Sequence, residues 1–189
     1  AQSCGIPVVA GSTAALNSSS EAREIAHGIG YPVMLKAAAG GGGRGMRAVA
    51  SDDELADAFE RCQSEAAAAF GDGSIFIEKL VLRPRHIEVQ ILADTKGQTV
   101  HLHERDCSVQ IRNQKVIEIA PAAGLDPTLR QNMHDDAIKL AKAADYVNAG
   151  TVEFLVSPES GDYYFIECNP RIQVEHTVTE QVTGIDLVE

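Results

Sequence analysis

Apolar residues recur along this chain at two spacings, and the switches between them mark out the elements. Over residues 21–29 the spacing is helical, with Asn17-Ser18-Ser19-Ser20 as a turn and cap cluster ahead of it and Gly28 or Gly30 at its end. Tyr31-Pro32 restarts the chain as a strand over 33–37, which runs into a block of glycines. A second short strand, 46–50, closes a hairpin-like unit. Ser51 with Glu54 reads as a capping box opening a helix that continues to about Phe70, where Gly71-Asp72-Gly73 stops it. Residues 75–79 and 86–93 follow as strands, the second with Ile87, Val89 and Ile91 on one face. A turn at 94–97 leads into a strand at 99–103. Asp126-Pro127 is an N-cap with proline at the first helical position, predicting a helix to about Tyr146. Residues 149–156 and 163–168 form a strand pair across the turn-rich 157–161, and a last helix begins over 179–189.

This order predicts an α+β fold of two lobes with a site between them, the boundary falling at 92–98. The 44% hydrophobic and 23% charged content is that of a globular protein, and 189 residues allow a substantial core. No apolar run is long enough to span a bilayer and no signal peptide is visible, so a membrane role is not expected. The first residue is not Met and the chain stops within a helix-like pattern, so a segment of a longer polypeptide is expected. The net charge of −11 argues against nucleic acid, but Arg83, Arg85, His86, Arg105, Arg112, Lys115 and Arg171 fall in the most specialised segments. An acidic shell with local basic points suits a small anion. Cys4, Cys62, Cys107 and Cys168 form no CxxC pair and read as reduced thiols packed as small core residues.

Gly40-Gly41-Gly42-Gly43 follow a strand, with Lys36 just before them and Arg44 directly after. Glycines open backbone conformations closed to other residues and leave N–H groups free to meet anionic oxygens, so phosphate contact is expected. The block lacks the Gly-Lys-Ser/Thr of a P-loop and is not GxGxxG. A flexible linker is the plainer alternative, though linkers seldom separate two apolar strands.

Glu153 shares a strand face with Leu155, and period-two alternation puts Glu167 on the face of Phe165. An antiparallel register exists that sets Glu153 opposite Glu167, where like charges repel unless a cation joins them. Hard oxygen donors, with Asn169 nearby, suit Mg²⁺ bridging phosphates better than zinc. Two exposed glutamates on an edge hairpin are the alternative. In Arg171-Ile172-Gln173-Val174-Glu175-His176, Arg171 offers a planar fork for a small oxyanion and Glu175 a proton acceptor. From these residues alone an Arg171–Glu175 salt bridge is the commoner reading, and His176 reads as a structural histidine. His101 and His103 share a strand face without a third ligand in reach of the sequence, so no metal role is assigned to them.

Taken together, Lys36-Ala37-Ala38-Ala39-Gly40-Gly41-Gly42-Gly43-Arg44-Gly45-Met46, Glu78-Lys79, Pro84-Arg85-His86-Ile87-Glu88, Glu104-Arg105-Asp106-Cys107-Ser108 and Phe165-Ile166-Glu167-Cys168-Asn169-Pro170-Arg171-Ile172-Gln173-Val174-Glu175-His176 resemble the biotin carboxylase family of ATP-grasp ligases. The resemblance covers essentially the whole chain. It implies an ATP-grasp fold of two α+β lobes with the nucleotide between them. Residues 1–16 would be a linker from an N-terminal subdomain, 17–92 an N-lobe with a glycine-rich lid, and 93–189 a C-lobe. Lys36 and the lid glycines Gly41, Gly42 and Gly43 would hold ATP phosphates. Glu78, Lys79 and Val81 would line the adenine pocket, with His86, Gln110 and Leu155 nearby. Glu153, Glu167 and Asn169 would hold Mg²⁺ (or Mn²⁺). Lys115 and Arg171 would contact bicarbonate or the transferring phosphate, assisted by backbone N–H of Gln173 and Val174. Glu175 would be the base that deprotonates bicarbonate.

The implied reaction passes through carboxyphosphate, which releases CO₂ and phosphate; the phosphate helps deprotonate biotin, which takes up the CO₂. Biotin would be held covalently on a carrier domain elsewhere. The implied partners are bicarbonate and the biotin carboxyl carrier and carboxyltransferase domains of the same or another chain, in a homo-oligomeric parent. The implied location is cytoplasmic, with the mitochondrial matrix as alternative. The chain departs from the pattern at Asn113, where histidine is common near the ribose. An arginine that stabilises the biotin enolate in the family lies beyond Glu189, so these 189 residues are expected to bind Mg-ATP weakly and not to carboxylate free biotin. Residues 148–156 and 176–180 look most like the pyruvate carboxylase branch, and Asn113 more like multidomain acyl-CoA carboxylases. The rival readings are an ATP-grasp carboxylate-amine ligase or carbamoyl-phosphate-type synthetase, and a non-catalytic nucleotide-binding module.

Overall fold

The computed structural model describes residues 1–40 and 45–189; the expected phosphate contacts of Gly41, Gly42, Gly43 and Arg44 lie outside the described residues. The chain forms two compact units, Val9–Val81 with Arg112–Gln114, and Ala1–Val8 with Leu82–Ile111 and Lys115–Glu189.

In the first unit α1 (Ser19–Ile29), β1 (Val33–Ala37), β2 (Met46–Val49), α2 (Asp52–Phe70) and β3 (Ile75–Lys79) follow the expected order. The sheet order is β2-β1-β3, antiparallel throughout. Alternation along β1 buries Val33, Leu35 and Ala37, which pack with Ala22 and Ala26 of α1 and Leu55, Phe59 and Cys62 of α2. Ser18 caps α1 by accepting from the Glu21 N–H. The capping box expected at α2 is not formed: Ser51 makes no side-chain cap bond, and the Glu54 carboxylate accepts instead from the Ala50 N–H (3.2 Å).

The second unit holds β4 (Arg85–Ala93), β5 (Thr99–Ile111), β6 (Gln114–Ile119, whose first residue is counted with the other unit), α3 (Pro127–Ala143), β7 (Asn148–Val156), β8 (Tyr163–Asn169) and α4 (His176–Thr183). Its sheet runs β6-β5-β4-β7-β8. Ile87, Val89 and Ile91 of β4 and Val152, Phe154 and Val156 of β7 form one face, packed on Met133, Ala137 and Ala141 of α3. Asp126 caps α3, accepting from the Thr128 and Leu129 N–H groups at 2.9 and 3.0 Å.

Other expectations change as well. The division falls at 81/82 rather than 92/93, because β4 is hydrogen-bonded to β5 on one side and β7 on the other and belongs wholly to the five-stranded sheet. Residues 1–16 are built into the units: Ile6 is buried in the second core and Val8 bridges Phe165, while Gly11 and Leu16 bridge β3. Strand β6 was not expected at all. It is joined to β5 by Arg112-Asn113, both at positive φ (53° and 64°), a tight turn without the usual Asn-Gly signal. The last helix begins three residues earlier than expected and stops at Thr183, where Gly184 takes a left-handed conformation (φ 71°).

Candidate functional site

The face of the five-stranded sheet opposite α3 is polar; it is buried at its centre, on β4, β7 and Arg105 of β5, and open at the β8 edge, where Glu167 is exposed. Cross-strand register lines up Arg105 (β5), Glu88 (β4), Glu153 (β7) and Glu167 (β8) in one row. A neighbouring row holds Gln90, Thr151 and Asn169. The Glu153–Glu167 pairing is the register considered from sequence. The expected partnership of Glu167 with Phe165 is not found, because an irregularity sets Phe165 opposite Phe154 and Glu167 opposite Glu153. One extra residue, Ile166, lets Phe165 join the core while Glu167 turns to the polar face.

Burying charge costs several kcal/mol per ion unless every group is paired, and here pairing is dense. Arg105 and Glu88 are both fully buried; Arg105 Nε donates to Glu88 Oε1 at 2.6 Å. Lys115, from β6, donates to Glu88 Oε2, to Glu153 Oε1 (2.9 Å) and to Glu175 Oε1 (2.8 Å). Glu153 Oε1 also accepts from Asn169 Nδ2 (2.8 Å) and Gln173 Nε2 (3.2 Å). His86 Nε2 meets Glu153 Oε2 at 2.5 Å while its Nδ1 faces Gln110 Nε2 at 2.8 Å. With the amide donating to Nδ1, the imidazole proton sits on Nε2 and is given to Glu153.

The charges follow from these contacts. Burial pushes the Glu153 carboxyl up, but the His86 hydrogen bond and the Lys115 ammonium outweigh it and bring it down to about 2. Burial likewise opposes ionisation of Glu175, and the Lys115 hydrogen bond overcomes it, lowering the pKa. Burial disfavours the Lys115 ammonium, yet Glu88, Glu153 and Glu175 together raise its pKa. Among the described residues, Glu88, Cys107 and Glu175 bring one potential metal-ligating atom each within 4.8 Å of one another; Lys115 bridges both carboxylates there. The Cys107 thiol is pushed up, first by burial and then by Glu88, so it is an inert packed thiol rather than a nucleophile.

The other expected residues fall as follows. Leu155 is the register partner of His86, half-buried beside it. Arg171 is exposed, donating to the Ile172 carbonyl (3.0 Å); the salt bridge of Glu175 is with Lys115, not Arg171. Gln173 is buried, whereas the Val174 side chain is 89% exposed. Glu175 is the N-cap residue of α4 and His176 Nδ1 faces the Gln173 carbonyl at 2.7 Å. In the first unit, Lys36 pairs with Glu78, and Lys79 Nζ donates to the carbonyls of Gly30 (3.0 Å) and Tyr31 (2.8 Å) at the end of α1. Val81 ends that unit, half-buried.

Sequence reasoning gave Glu88 no role and marked Arg105 only as one of the basic points suited to a small anion; it is instead fully buried against Glu88. Glu88 lies at a polar position of a strand read as one-sided, and Arg105 lies beyond the strand expected at 99–103, which runs on to Ile111 as β5; the signal was the concentration of ionisable side chains at 86–90 and 104–108. His101, assigned no partner from sequence, stacks on His134 (4.0 Å, 24°), whose Nε2 meets Glu104 Oε2 at 2.7 Å. That contact engages one His134 nitrogen, and His101 Nδ1 accepts from the His103 N–H.

A divalent cation fits the Glu153–Glu167–Asn169 corner by its chemistry. Two carboxylates face each other in register, and an amide already touches Glu153. Turned over, that amide would present an oxygen, completing a hard donor set suited to Mg²⁺.

Residues 1–189 match the family described as carbamoyl-phosphate synthase L chain, ATP binding domain, and the chain belongs to that family. It is 58% identical over 185 residues to pyruvate carboxylase of Schizosaccharomyces pombe, covering 98% of this chain and 16% of that protein. Biotin carboxylase of Campylobacter jejuni, solved as a complex with β-γ-ATP, superimposes with a TM-score of 0.95 at 53% identity, over 99% of this chain and 42% of that one. The biotin carboxylase domain of Hydrogenobacter thermophilus 2-oxoglutarate carboxylase, solved with MgADP, ADP and bicarbonate, gives 0.94 at 49% identity, over 99% and 41%. The fold is the mixed α+β ATP-grasp architecture of these proteins. No helix among the described residues is long and apolar enough to cross a membrane.

Proposed function

We propose that this chain is the ATP- and bicarbonate-handling part of a biotin carboxylase, acting within pyruvate carboxylase or a related biotin-dependent carboxylase. The observation that carries the proposal is the Lys115 ammonium held by Glu88, Glu153 and Glu175, beside the buried Arg105. In this reading Lys36 and the glycine block hold ATP phosphates, while Glu78, Lys79, Val81, His86, Gln110 and Leu155 lie about the base and ribose. Glu153, Glu167 and Asn169 hold magnesium, which when bound neutralises charge on the phosphates. Arg171, Lys115 and the backbone N–H groups of Gln173 and Val174 receive bicarbonate, and Glu175 is its base.

The geometry suggests how that base is controlled. Paired with Lys115 at 2.8 Å, Glu175 is a weak proton acceptor. An anion arriving at Lys115 competes for the ammonium, so the proton affinity of Glu175 rises when there is a proton to take. The rest is positioning and charge neutralisation, which is what phosphoryl transfer asks of a protein.

The test is bicarbonate-dependent, biotin-stimulated ATP cleavage by the intact protein. Cleavage supported by ammonia or an amine and indifferent to bicarbonate would assign the chain to another ATP-grasp reaction, and no cleavage at all would leave a nucleotide-binding module. Carboxylation assayed with pyruvate, 2-oxoglutarate and acyl-CoA separates the acceptors; pyruvate is the one expected.

A further inference from the structure

We propose that Arg105 is a positioning residue for the anion-receiving segment, stapling Gln173 and helix α4 to the sheet. The proposal rests on the functional reading above, since the anion concerned is bicarbonate. Arg105 is fully buried, so it touches no substrate itself. Its guanidinium uses four of five N–H groups: Nε on Glu88 (2.6 Å), one terminal nitrogen on Gln90 Oε1 (2.8 Å) and Thr179 Oγ1 (2.7 Å), the other on Gln173 Oε1 (3.3 Å). Two acceptors lie on β4 and two in the segment that follows β8.

Between residues 170 and 180 only Gln173 and Thr179 are buried, and Arg105 holds both. Ile172 and Val174 are exposed, so apolar packing of those side chains does not hold this segment. Gln173 passes the restraint on: its oxygen accepts from Arg105 while its nitrogen donates to Glu153 at 3.2 Å. A fixed Gln173 side chain fixes the backbone N–H groups of Gln173 and Val174 that the functional reading assigns to bicarbonate. Thr179, one helical turn after Glu175, sets the face of α4 from which that carboxylate reaches Lys115. Lysine cannot replace this arginine, because it donates from one point and cannot span acceptors on β4 and α4 in one plane.

The experiment compares Arg105→Lys and Thr179→Val with wild type in the intact protein, reading kcat and KM for bicarbonate and for Mg-ATP in ATP cleavage, together with Tm. Thr179→Val removes one acceptor at constant shape and keeps the test decisive should Arg105→Lys fail to fold. Each variant is expected to raise KM for bicarbonate about tenfold while KM for Mg-ATP stays within about twofold. A merely structural role would lower the active fraction or Tm and leave both KM values alone, and that outcome overturns the proposal. So does a parallel rise of both. If wild-type cleavage ignores bicarbonate, the functional reading falls and this proposal with it; if wild type needs bicarbonate and the variants keep its KM, only the role of Arg105 falls.

Discussion

Lys115 is the residue on which most of the local charge depends. It contacts three carboxylates, two of them almost fully buried, while Arg105 and His86 serve only Glu88 and Glu153 among these. Lys115→Met leaves Glu175 without its cation and strips one from each of the other two. Breaking a buried pair from one side costs about 3 kcal/mol, so denaturant unfolding is expected to show a loss of that size. An unchanged midpoint would mean that the carboxylates find other partners. Glu175→Gln should behave differently. The amide keeps the shape and can still meet Lys115, so Mg-ATP affinity measured by calorimetry stays within about twofold while bicarbonate-dependent turnover falls by at least about a hundredfold. Turnover near wild type would remove Glu175 as the base.

At the scale of elements, caps and turns separate what local chemistry decides from what it does not. Asp126 accepts two backbone N–H groups at the start of α3, and Asp126→Ala is expected to cost about 1 kcal/mol in thermal unfolding. Ser51 stands in an equally good sequence context, yet its side chain makes no cap bond, so Ser51→Ala should cost only a few tenths of a kcal/mol. Similar losses for both would show that Ser51 caps in solution. The bulge at Ile166 has the same lesson: strict alternation along residues 163–169 assigns Glu167 to the core face, and one extra residue reverses that. Strand β6, which delivers Lys115, was hidden because Arg112-Asn113 makes its turn at positive φ without glycine. Lys115 could be marked as functional by resemblance, but not placed.

For the whole molecule, the buried charges set the dependence of stability on pH. The folded pKa of Glu153 lies below its ordinary value of 4.5, so its contribution is complete above that value and is lost as pH falls toward about 2. Glu104 and Glu175 shift in the same direction. Lys115 is raised, so its contribution is complete below its ordinary value of 10.5 and is lost only as pH climbs through the higher folded value. Burial and the neighbouring His134 and His103 lower His101 from its ordinary 6.5. Tm should therefore be nearly flat from about pH 7 to 9, begin to slip below that, and fall steeply below about 4.5. A Tm unchanged between about pH 7 and 3 would contradict the pairing seen in the sheet.

Much of the chain could be read locally. Periods of 3.6 and 2, the Ser18 and Asp126 caps and the glycine stops depend on neighbours a few residues away, and they place most helices and strands near where they are found. The Glu153–Glu167 register was also within reach, because one short turn joins the two strands. The row behind it was not. Glu88 meets Arg105 across β4–β5, Glu153 across β4–β7, and Lys115 from the far edge of the sheet. The strand order β6-β5-β4-β7-β8 brings these residues together from distant parts of the sequence. Whether a charged strand residue faces water or a sealed ionic face depends on what covers the sheet, and only the tertiary structure decides that.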